Sequence, residues 1–437
     1  FTEKHLYLGY YEPEKDSVHT EIFQFDKESP TYKTYLKFYN SQWIIAKRKI
    51  PAEIPSNYSF LNETFIADPS LVINITSQCN MNCIYCPTGG ENLIEINQNE
   101  CISKDSLQKL VLGFGEVITN KKGKPILRIT GGEPLINNET REKVINIFNS
   151  AQKYEKIIFC TNAMCFEEAY NENIREWESV KSKLTLKISL DTIDKYKFNG
   201  ITTGKLCNNE KISNFDIVIK NIKFAKSKGF RIEINLVATQ YNIQEKKDII
   251  DVFEFAQKLG LVGVKVLTVN DFGGKVTIGQ TKKEKEQIGE ILKEVIEYMK
   301  KCEYEEVTAY SHGNKGIQMR RFIARSDKDE VCTLTIVDHN AFNTSITPVR
   351  TFSDFCSSCR YYFDSKDVKK GLVQPCNTGI MSLTLRADGL LCPCRLRTDA
   401  GRDIKDVSTI EEMKKIIGES LGAFQKCFHI NIKGGKL

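Results

Sequence analysis

Segments with the periodicity of strands and of helices alternate over residues 70–270, and this alternation restricts the fold more than any other feature of the sequence. Six strands are predicted by apolar runs at 71–75, 126–130, 156–162, 184–191, 230–239 and 262–268. Helical spacing of apolar residues predicts intervening helices at 141–151, 215–228 and 244–259. The repeated strand–helix–strand order predicts a parallel sheet with helical crossovers, and the six strands give about six βα units. A complete eight-unit barrel needs ~250 residues, which is more than residues 70–270 provide.

Three cysteines, Cys79, Cys83 and Cys86, follow the first predicted strand within a few residues. This close spacing suits an iron–sulfur cluster. A closed structural zinc site takes four ligands, usually from paired cysteine motifs. Three cysteine ligands leave one iron of a [4Fe–4S] cluster without a protein ligand, and that iron can bind a substrate or a cofactor. The triplet therefore predicts a cluster that takes part in chemistry.

A glycine turn, Gly131-Gly132-Glu133-Pro134, follows the second predicted strand. Two glycines allow the backbone to approach a ligand closely, and Glu133 offers an acceptor to a cation. A plain strand-to-helix turn is the alternative for the Gly-Gly pair alone. The cysteine triplet and this turn, each directly after a predicted strand, are together far more specific than either motif.

The spacing Cys-x3-Cys-x-aromatic-Cys, with Tyr85 as the aromatic residue, and the Gly-Gly-Glu-Pro turn resemble the signature of the radical S-adenosylmethionine (SAM) superfamily. The resemblance implies a partial (β/α)6 barrel of the TIM type, with a [4Fe–4S] cluster on Cys79, Cys83 and Cys86 whose open iron chelates SAM. It also implies reductive cleavage of SAM to a 5′-deoxyadenosyl radical that abstracts a hydrogen atom from substrate. An external electron donor such as flavodoxin or ferredoxin is implied as a partner.

Candidate SAM contacts lie at the carboxyl ends of the predicted strands, where barrels carry their active sites. The resemblance assigns the Gly-Gly-Glu-Pro turn to the SAM amino group, Tyr85 to the cofactor site, and Ser189 and Asn235 to the SAM carboxylate or ribose. Ordinary capping of a strand end explains Ser189 and Asn235 equally well. Asparagine is disfavoured inside strands, which favours a functional role for Asn235.

A second set of cysteines begins about 270 residues after the first. Alternating leucines before Asp388-Gly389 predict a β-hairpin with an Asp-Gly turn. The region resembles the Twitch half of a SPASM module, which implies one auxiliary [4Fe–4S] cluster. The ligands implied are Cys356, Cys359, Cys376 and Cys394, with Cys392 and Cys427 in reserve. A four-cysteine zinc site is the alternative.

Residues 70–400 also resemble the GTP cyclase family of molybdenum-cofactor biosynthesis, but several cationic positions differ. Arg128 matches an arginine that contacts the triphosphate in that family. Uncharged residues stand at four other positions where the family has lysine or arginine, namely Ile126, Gln78, Ser382 and Thr384. A nucleoside triphosphate carries about four negative charges and needs several cationic partners. A different substrate is therefore expected.

Four domains are expected. Residues 1–68 are rich in Tyr, Phe, Ile and Thr and predict a small β-rich domain that captures an extended peptide by strand addition or forms a dimer. Residues 69–275 form the barrel. Residues 276–345 form a helical connector with an amphipathic helix at 278–303, and residues 346–437 carry the auxiliary cluster.

Composition fits an ordinary globular protein, with 41% hydrophobic and 27% charged residues. The net charge of +6 over 437 residues gives no basic stripe that indicates nucleic-acid binding. We expect neither a transmembrane segment nor a signal peptide. Cysteines in metal-like spacings indicate a reducing, low-oxygen setting, so the expected location is the cytoplasm.

The sequence thus predicts a radical SAM enzyme with one auxiliary cluster that modifies a peptide by hydrogen abstraction, forming a crosslink or a thioether or causing epimerisation. One alternative is the cyclisation or rearrangement of a small molecule or nucleotide. An iron–sulfur redox or sensor protein is the alternative outside enzymes.

Overall fold

The computed structural model describes thirteen segments of the chain, namely residues 5–12, 17–24, 70–86, 102–120, 124–202, 213–269, 278–279, 281–302, 304–312, 317–323, 332–338, 382–393 and 401–422. The fold is α/β, as expected. The strands are β1 (His5–Glu12), β2 (Ser17–Gln24), β3 (Ser70–Asn74), β4 (Ile126–Thr130), β5 (Lys156–Thr161), β6 (Leu184–Ser189), β7 (Arg231–Ala238), β8 (Gly263–Thr268), β9 (Glu305–His312), β10 (Ile317–Ile323), β11 (Thr333–Asp338), β12 (Ser382–Leu385), β13 (Leu390–Cys392) and β14 (Arg402–Asp403). The helices are α1 (Lys104–Asn120), α2 (Asn138–Ser150), α3 (Phe166–Glu172), α4 (Ile174–Val180), α5 (Lys195–Thr202), α6 (Asn214–Ser227), α7 (Lys246–Lys258), α8 (Lys282–Lys301) and α9 (Ile410–Gly422).

Strands β3 to β8 lie side by side in chain order, and each neighbouring pair is parallel. At least one helix follows each of them, so the six predicted βα units are confirmed. Parallel strands place their carboxyl ends at one edge of the sheet. The loops after β3, β4, β5, β6 and β7 therefore meet on the same side, where the candidate residues lie.

Two further strands extend the parallel part of the sheet beyond the six units. Strand β12 pairs parallel with β3, and β11 pairs parallel with β8. The complete order is β14-β13-β12-β3-β4-β5-β6-β7-β8-β11-β10-β9. The segment expected to be a helical connector thus holds α8 and three strands. The sequence of β11, TLTIVD, explains this difference because β-branched residues favour strands.

The core lies between the sheet and its helices, as β7 illustrates. Ile232, Ile234 and Leu236 are at most 1% exposed, whereas Glu233 and Asn235 between them are half-buried. Successive strand residues point to opposite faces, so the apolar set packs under the helices and the polar set lines the inner, concave face.

Local signals explain where the helices begin. Asn137 caps α2 and Thr281 caps α8, each in a reciprocal capping box with the residue three positions on. The amphipathic helix predicted at 278–303 is α8, which buries Ile288, Leu292 and Val295.

Within the described ranges, no helix combines the length and the hydropathy needed to cross a membrane.

The two ends of the chain each contribute a β-hairpin. Strands β1 and β2 pair antiparallel over eight residues each and form a sheet of their own, as the composition of this region predicts. Strands β12 and β13 form the hairpin predicted near the C-terminus. Gly389 has φ +84° at its turn, a conformation that glycine adopts without strain.

Candidate functional site

The loop after β3 carries Cys79, Cys83 and Cys86, all of them half-buried. Backbone hydrogen bonds hold this loop against the end of α5. The N–H of Asn82 donates to the carbonyl of Thr202 at 3.0 Å, and the N–H of Ile84 donates to that of Ile201 at 3.1 Å. The cysteine loop is therefore fixed by a distant element rather than by its own turn alone.

Burial makes two of these thiols, Cys79 and Cys83, reluctant to ionise. Burial raises the pKa of Cys79 to about 11, with Glu133 and Cys86 adding to the effect. Burial also raises the pKa of Cys83 well above its usual range, and the carboxylate of Asp191 contributes. Thiolates in such a place need a cationic partner, and metal coordination provides one. The donor set therefore fits a metal cluster.

The described residues include no trio of His, Cys, Asp or Glu side chains placed to hold a single metal ion. A [4Fe–4S] cluster is larger than one ion, and each of its cysteines binds a different iron. The lack of a single-ion site among the described residues is therefore compatible with a cluster.

The glycines of the Gly-Gly-Glu-Pro turn are required because the cysteine loop packs directly on them. A Cβ atom on Gly131 would lie 2.7 Å from the carbonyl oxygen of Thr76, and one on Gly132 would lie 2.0 Å from that of Gln78. The N–H of Gly132 donates to Thr76 O at 2.6 Å, and the N–H of Glu133 donates to Gln78 O at 2.8 Å. The two sequence motifs thus form one structural unit.

Glu133 is fully buried, and its carboxylate accepts three hydrogen bonds from within the chain. One oxygen accepts from the N–H of Leu135 at 3.1 Å and from the Thr161 hydroxyl at 2.7 Å, and the other accepts from the N–H of Asn162 at 2.7 Å. Burial outweighs these donors and raises the pKa of Glu133 to about 7. The side chain joins the end of β4 to the end of β5.

Tyr85 and Asp191 connect the cysteine loop to the other side of the sheet. The Tyr85 hydroxyl donates to Asp191 Oδ2, and the N–H of Val237 donates to Oδ1 at 2.8 Å. The side chain of Asn242 donates to the backbone carbonyl of Asp191 at 2.8 Å. Burial raises the pKa of Asp191 to about 6. Asp191 is the last residue of the predicted strand 184–191 and Tyr85 belongs to the cysteine motif, but no local pattern indicates that they contact each other.

Ser189 and Asn235 lie side by side in register on β6 and β7. The side-chain oxygen of Asn235 is buried and has no hydrogen-bond partner among the described residues. An unsatisfied buried acceptor costs roughly 1–3 kcal/mol, so such atoms usually await a ligand or a water. A donor group on a bound cofactor fits this position.

Charged residues line the same inner face of the sheet. Lys187 on β6 forms an ion pair with Glu233 on β7 at 2.6 Å, with only 9% and 18% of the two side chains exposed. Lys265 is the register partner of Asn235, and the strand registers place Arg128 on the same face. Of these residues, only Arg128 belongs to a motif that indicates a function from the sequence. The signal for the others was the alternation of charged and apolar residues along β6, β7 and β8.

Most of the expected auxiliary ligands lie outside the described residues, namely Cys356, Cys359, Cys376, Cys394 and the reserve Cys427. The reserve Cys392 lies on β13 and is fully buried, and its thiol lies 3.8 Å from the carbonyl oxygen of Leu390.

Comparison with known proteins agrees with this geometry. The family profile of the Radical SAM superfamily matches residues 73–256. A probable GTP 3′,8-cyclase of Methanococcus aeolicus is 29% identical over 194 residues, which cover 44% of this chain and 57% of the relative. The chain spans between 40% and 57% of the lengths of the first four curated relatives that it matches.

The fold is similar to that of SuiB from Streptococcus suis. One SuiB crystal structure matches with a TM-score of 0.52 and 15% identity, over 99% of this chain and 93% of that chain. SuiB bound to its precursor peptide SuiA matches with a TM-score of 0.50 and 15% identity, over 81% and 66%. At these identities the similarity concerns the fold alone. The family match shows a radical SAM domain over residues 73–256.

Proposed function

We propose that the chain is an enzyme in which Cys79, Cys83 and Cys86 hold a [4Fe–4S] cluster that binds SAM. The observation that carries this proposal is that the cysteine loop is hydrogen-bonded to the Gly-Gly-Glu-Pro turn and packs directly on it within the radical SAM domain. When bound, the cluster and SAM together supply reductive SAM cleavage and hydrogen abstraction from the substrate. The residues of the chain bind, orient and shield these groups.

The residues around the loop have distinct tasks in this proposal. Asn235 offers its unpaired side-chain oxygen to a donor group of SAM, and the neighbouring Ser189 adds a hydroxyl. The backbone of the Gly-Gly-Glu-Pro turn, rather than the internally bonded Glu133 carboxylate, contacts the SAM amino group. Tyr85 acts through its bond to Asp191, which keeps the loop in place.

We assign the auxiliary [4Fe–4S] cluster to Cys356, Cys359, Cys376 and Cys394. Support comes from the hairpin of β12 and β13. Strand β12 pairs with β3, and this pairing holds the chain in place just before Cys394. Four cysteine ligands saturate a cluster, which favours electron transfer. Cysteine-rich sequence and this cofactor set suit the cytoplasm, where flavodoxin or ferredoxin supplies electrons.

The substrate class that we propose is a peptide, which acquires a crosslink, a thioether or an epimerised centre. Two observations support it. SuiB, which has a similar fold over nearly the whole chain, has been crystallised with its precursor peptide. The hairpin of β1 and β2 has strand edges to which an extended peptide can add.

A small anionic molecule is the second candidate substrate. The inner face of the sheet carries the cationic side chains of Arg128, Lys187 and Lys265, and Lys187 is paired with Glu233. The curated relatives are GTP 3′,8-cyclases. A phosphate or carboxylate group on a substrate fits such a surface.

Anaerobic reconstitution tests the enzyme proposal directly. We expect about eight irons per chain, four for each cluster, and the release of methionine and 5′-deoxyadenosine when the reduced protein meets SAM. Cys83→Ala should abolish SAM cleavage but leave about four irons. A chain that binds four irons and one zinc would exclude the auxiliary cluster, and a chain that cleaves no SAM would exclude the enzyme.

Deletion of residues 1–65 tests the peptide proposal. Candidate precursor peptides encoded beside the gene should bind the full chain and lose at least tenfold in affinity for the truncated chain. SAM cleavage without substrate should continue in the truncated chain, which controls for folding of the barrel. Equal peptide binding by both chains, or deuterium transfer to 5′-deoxyadenosine from a labelled nucleotide alone, would favour the small-molecule candidate.

A further inference from the structure

Two donors inside the chain point at the sulfur of Cys79. The backbone N–H of Met81 lies 3.4 Å from Cys79 Sγ, and Asn162 Nδ2 lies 3.8 Å from it. The first is a local contact of the cysteine loop. The second comes from the loop after β5, 83 residues away in sequence. It has no counterpart in the sequence motif, because nothing in the local pattern links Asn162 to a cysteine.

The hydrogen bonds of Asn162 determine which end of its amide faces the sulfur. Its side-chain oxygen accepts from the N–H of Met164 at 2.9 Å, and Nδ2 donates to Asn80 Oδ1 at 2.7 Å. A flipped amide would put two donors together at Met164 and two oxygens together at Asn80. The NH2 group must therefore face Asn80 and Cys79.

The segment that presents Asn162 is held in a conformation that its sequence does not favour. Ala163 has φ +62°, in the left-handed region that costs a non-glycine residue about 1–2 kcal/mol. Three contacts maintain it: Ala163 N–H donates to Thr161 Oγ1 at 2.9 Å, and Asn221 Nδ2 donates to the carbonyls of Ala163 at 2.6 Å and Met164 at 3.0 Å. Such strain persists where the surroundings require it, often at functional sites.

Glu133 completes the support of Asn162 from the opposite side. Its carboxylate accepts from the Thr161 hydroxyl and from the backbone N–H of Asn162, both at 2.7 Å. Glu133 therefore fixes the backbone of Asn162 itself, whereas Asn221 bonds to the carbonyls of the two residues that follow Asn162.

We propose that the side chain of Asn162 donates a hydrogen bond to the Cys79 thiolate and thereby raises the reduction potential of the [4Fe–4S] cluster, with Glu133 as the positioning residue. The inference rests on the proposed function, since it needs the cluster on Cys79, Cys83 and Cys86. A donor to a coordinating sulfur stabilises the more electron-rich, reduced state of a cluster. Removal of the donor should make the cluster harder to reduce.

The test compares Asn162→Leu with Asn221→Leu in the full chain after reconstitution without SAM. Leucine has a similar volume and no donor, so both variants lose a buried amide near Ala163, but only the first loses the contact with sulfur. We expect a roughly tenfold lower ratio of reduced to oxidised cluster at a fixed potential in Asn162→Leu, which corresponds to ~59 mV for one electron. Potentiometric titration followed by electron paramagnetic resonance measures it, and melting temperature and iron content are measured in parallel.

The matched variant separates the sulfur contact from loop support. Asn221→Leu should lower the melting temperature at least as much as Asn162→Leu and leave the midpoint potential of the cluster at its original value. An unchanged potential in Asn162→Leu, or an equal shift in both variants, overturns the inference.

A second measurement covers the case in which Asn162→Leu takes up no iron. Asn162→Ser is then used, together with deuterium exchange of the unaltered protein. In the electron paramagnetic resonance spectrum, we expect the cluster of the unaltered protein to show an exchangeable proton that the cluster of Asn162→Ser lacks. Identical spectra of the two proteins overturn the inference. An unaltered chain that binds no iron overturns the proposed function itself, whereas one that binds iron and cleaves SAM leaves only the role of Asn162 in question.

Discussion

The hydroxyl of Tyr85 donates a hydrogen bond to the carboxylate of Asp191, although 106 residues separate them in sequence. Tyr85 lies between two of the cluster cysteines, and Asp191 follows β6. This one bond therefore reaches across β4 and β5 and couples the cysteine loop to the far part of the sheet. The aromatic residue of the motif has a structural partner in this chain.

Tyr85→Phe should loosen the cysteine loop. The substitution leaves Asp191 Oδ2 buried without its donor, which costs roughly 1–3 kcal/mol of unfolding free energy. We expect the reconstituted variant to lose iron to a chelator several times faster than the unaltered chain. Tyr196→Phe is the matched control, because Tyr196 is 88% exposed and its loss of a hydroxyl should change neither quantity. Equal iron retention in both variants would show that the bond to Asp191 does not hold the loop.

Gly132→Ala should prevent the cysteine loop from packing on the glycine turn. The added Cβ meets backbone atoms of Gln78, which cannot rotate away, so we expect a loss of about 3 kcal/mol, the upper end of overpacking costs, and little bound iron. Gly289→Ala in α8 meets no atom within 4 Å and should stabilise the chain by up to ~1 kcal/mol through helix propensity. Urea denaturation and iron analysis measure both. Normal iron binding by Gly132→Ala would contradict the packing argument.

Lys187→Met should destabilise the barrel from its inner face. Its partner Glu233 is mostly buried, and breaking a buried ion pair by removing one member costs about 3–5 kcal/mol. The double variant Lys187→Met with Glu233→Met removes both charges and should recover part of that loss. Chemical denaturation of the two variants gives the comparison. A double variant less stable than Lys187→Met would show that Glu233 is stabilised mainly by its other interactions.

The stability of the iron-free chain should fall with rising pH through the range in which Asp191 titrates. Burial raises the folded-state pKa of Asp191 from 3.8 to about 6, so the folded state holds its proton more tightly than the unfolded state does. The contribution is complete below about pH 4 and is lost as the pH rises through 6, by about 3 kcal/mol at most.

Asp191→Asn removes this titration and should make the urea midpoint fall less steeply between pH 4 and 6, where Glu133, whose pKa burial raises to about 7, still contributes. Asp216→Asn is the control, because hydrogen bonds from Lys195 and Ser213 lower the pKa of Asp216 and place its titration below that window. The same slope in Asp191→Asn and in the unaltered chain would exclude Asp191 as the source.

Local patterns in the sequence predicted the parallel core and the cysteine loop, because apolar periodicity and motif spacing are properties of neighbouring residues. The six strands from β3 to β8 follow from apolar runs, and Gly132 was singled out by its motif. The sequence does not show why glycine is required at position 132, because the atom that leaves no room for a Cβ there is the backbone carbonyl oxygen of Gln78. The pairing of β11 and β12 with the barrel was also missed, because register between distant strands leaves no local signal.

The same limit applies to side chains that meet only in the folded chain. Lys187 and Glu233 look like the polar half of ordinary alternating strands, and their ion pair depends on the register of β6 against β7. Asn162 is the last residue of the predicted strand 156–162, but its contact with Cys79 depends on how two loops approach each other. Whether the later cysteines form an auxiliary site stays a prediction.

The pairing of β12 with β3 has a consequence for the order in which the protein matures. Ser382 and Ser70 are register partners, so the edge of the strand that leads into the cysteine loop is covered by residues made more than 300 positions later. During synthesis that edge stays open until residues 382–385 have left the ribosome. Contacts so distant in sequence form slowly. Iron insertion at Cys79, Cys83 and Cys86 is therefore expected to follow the synthesis of β12, and premature termination before residue 382 should leave a domain that holds its cluster poorly.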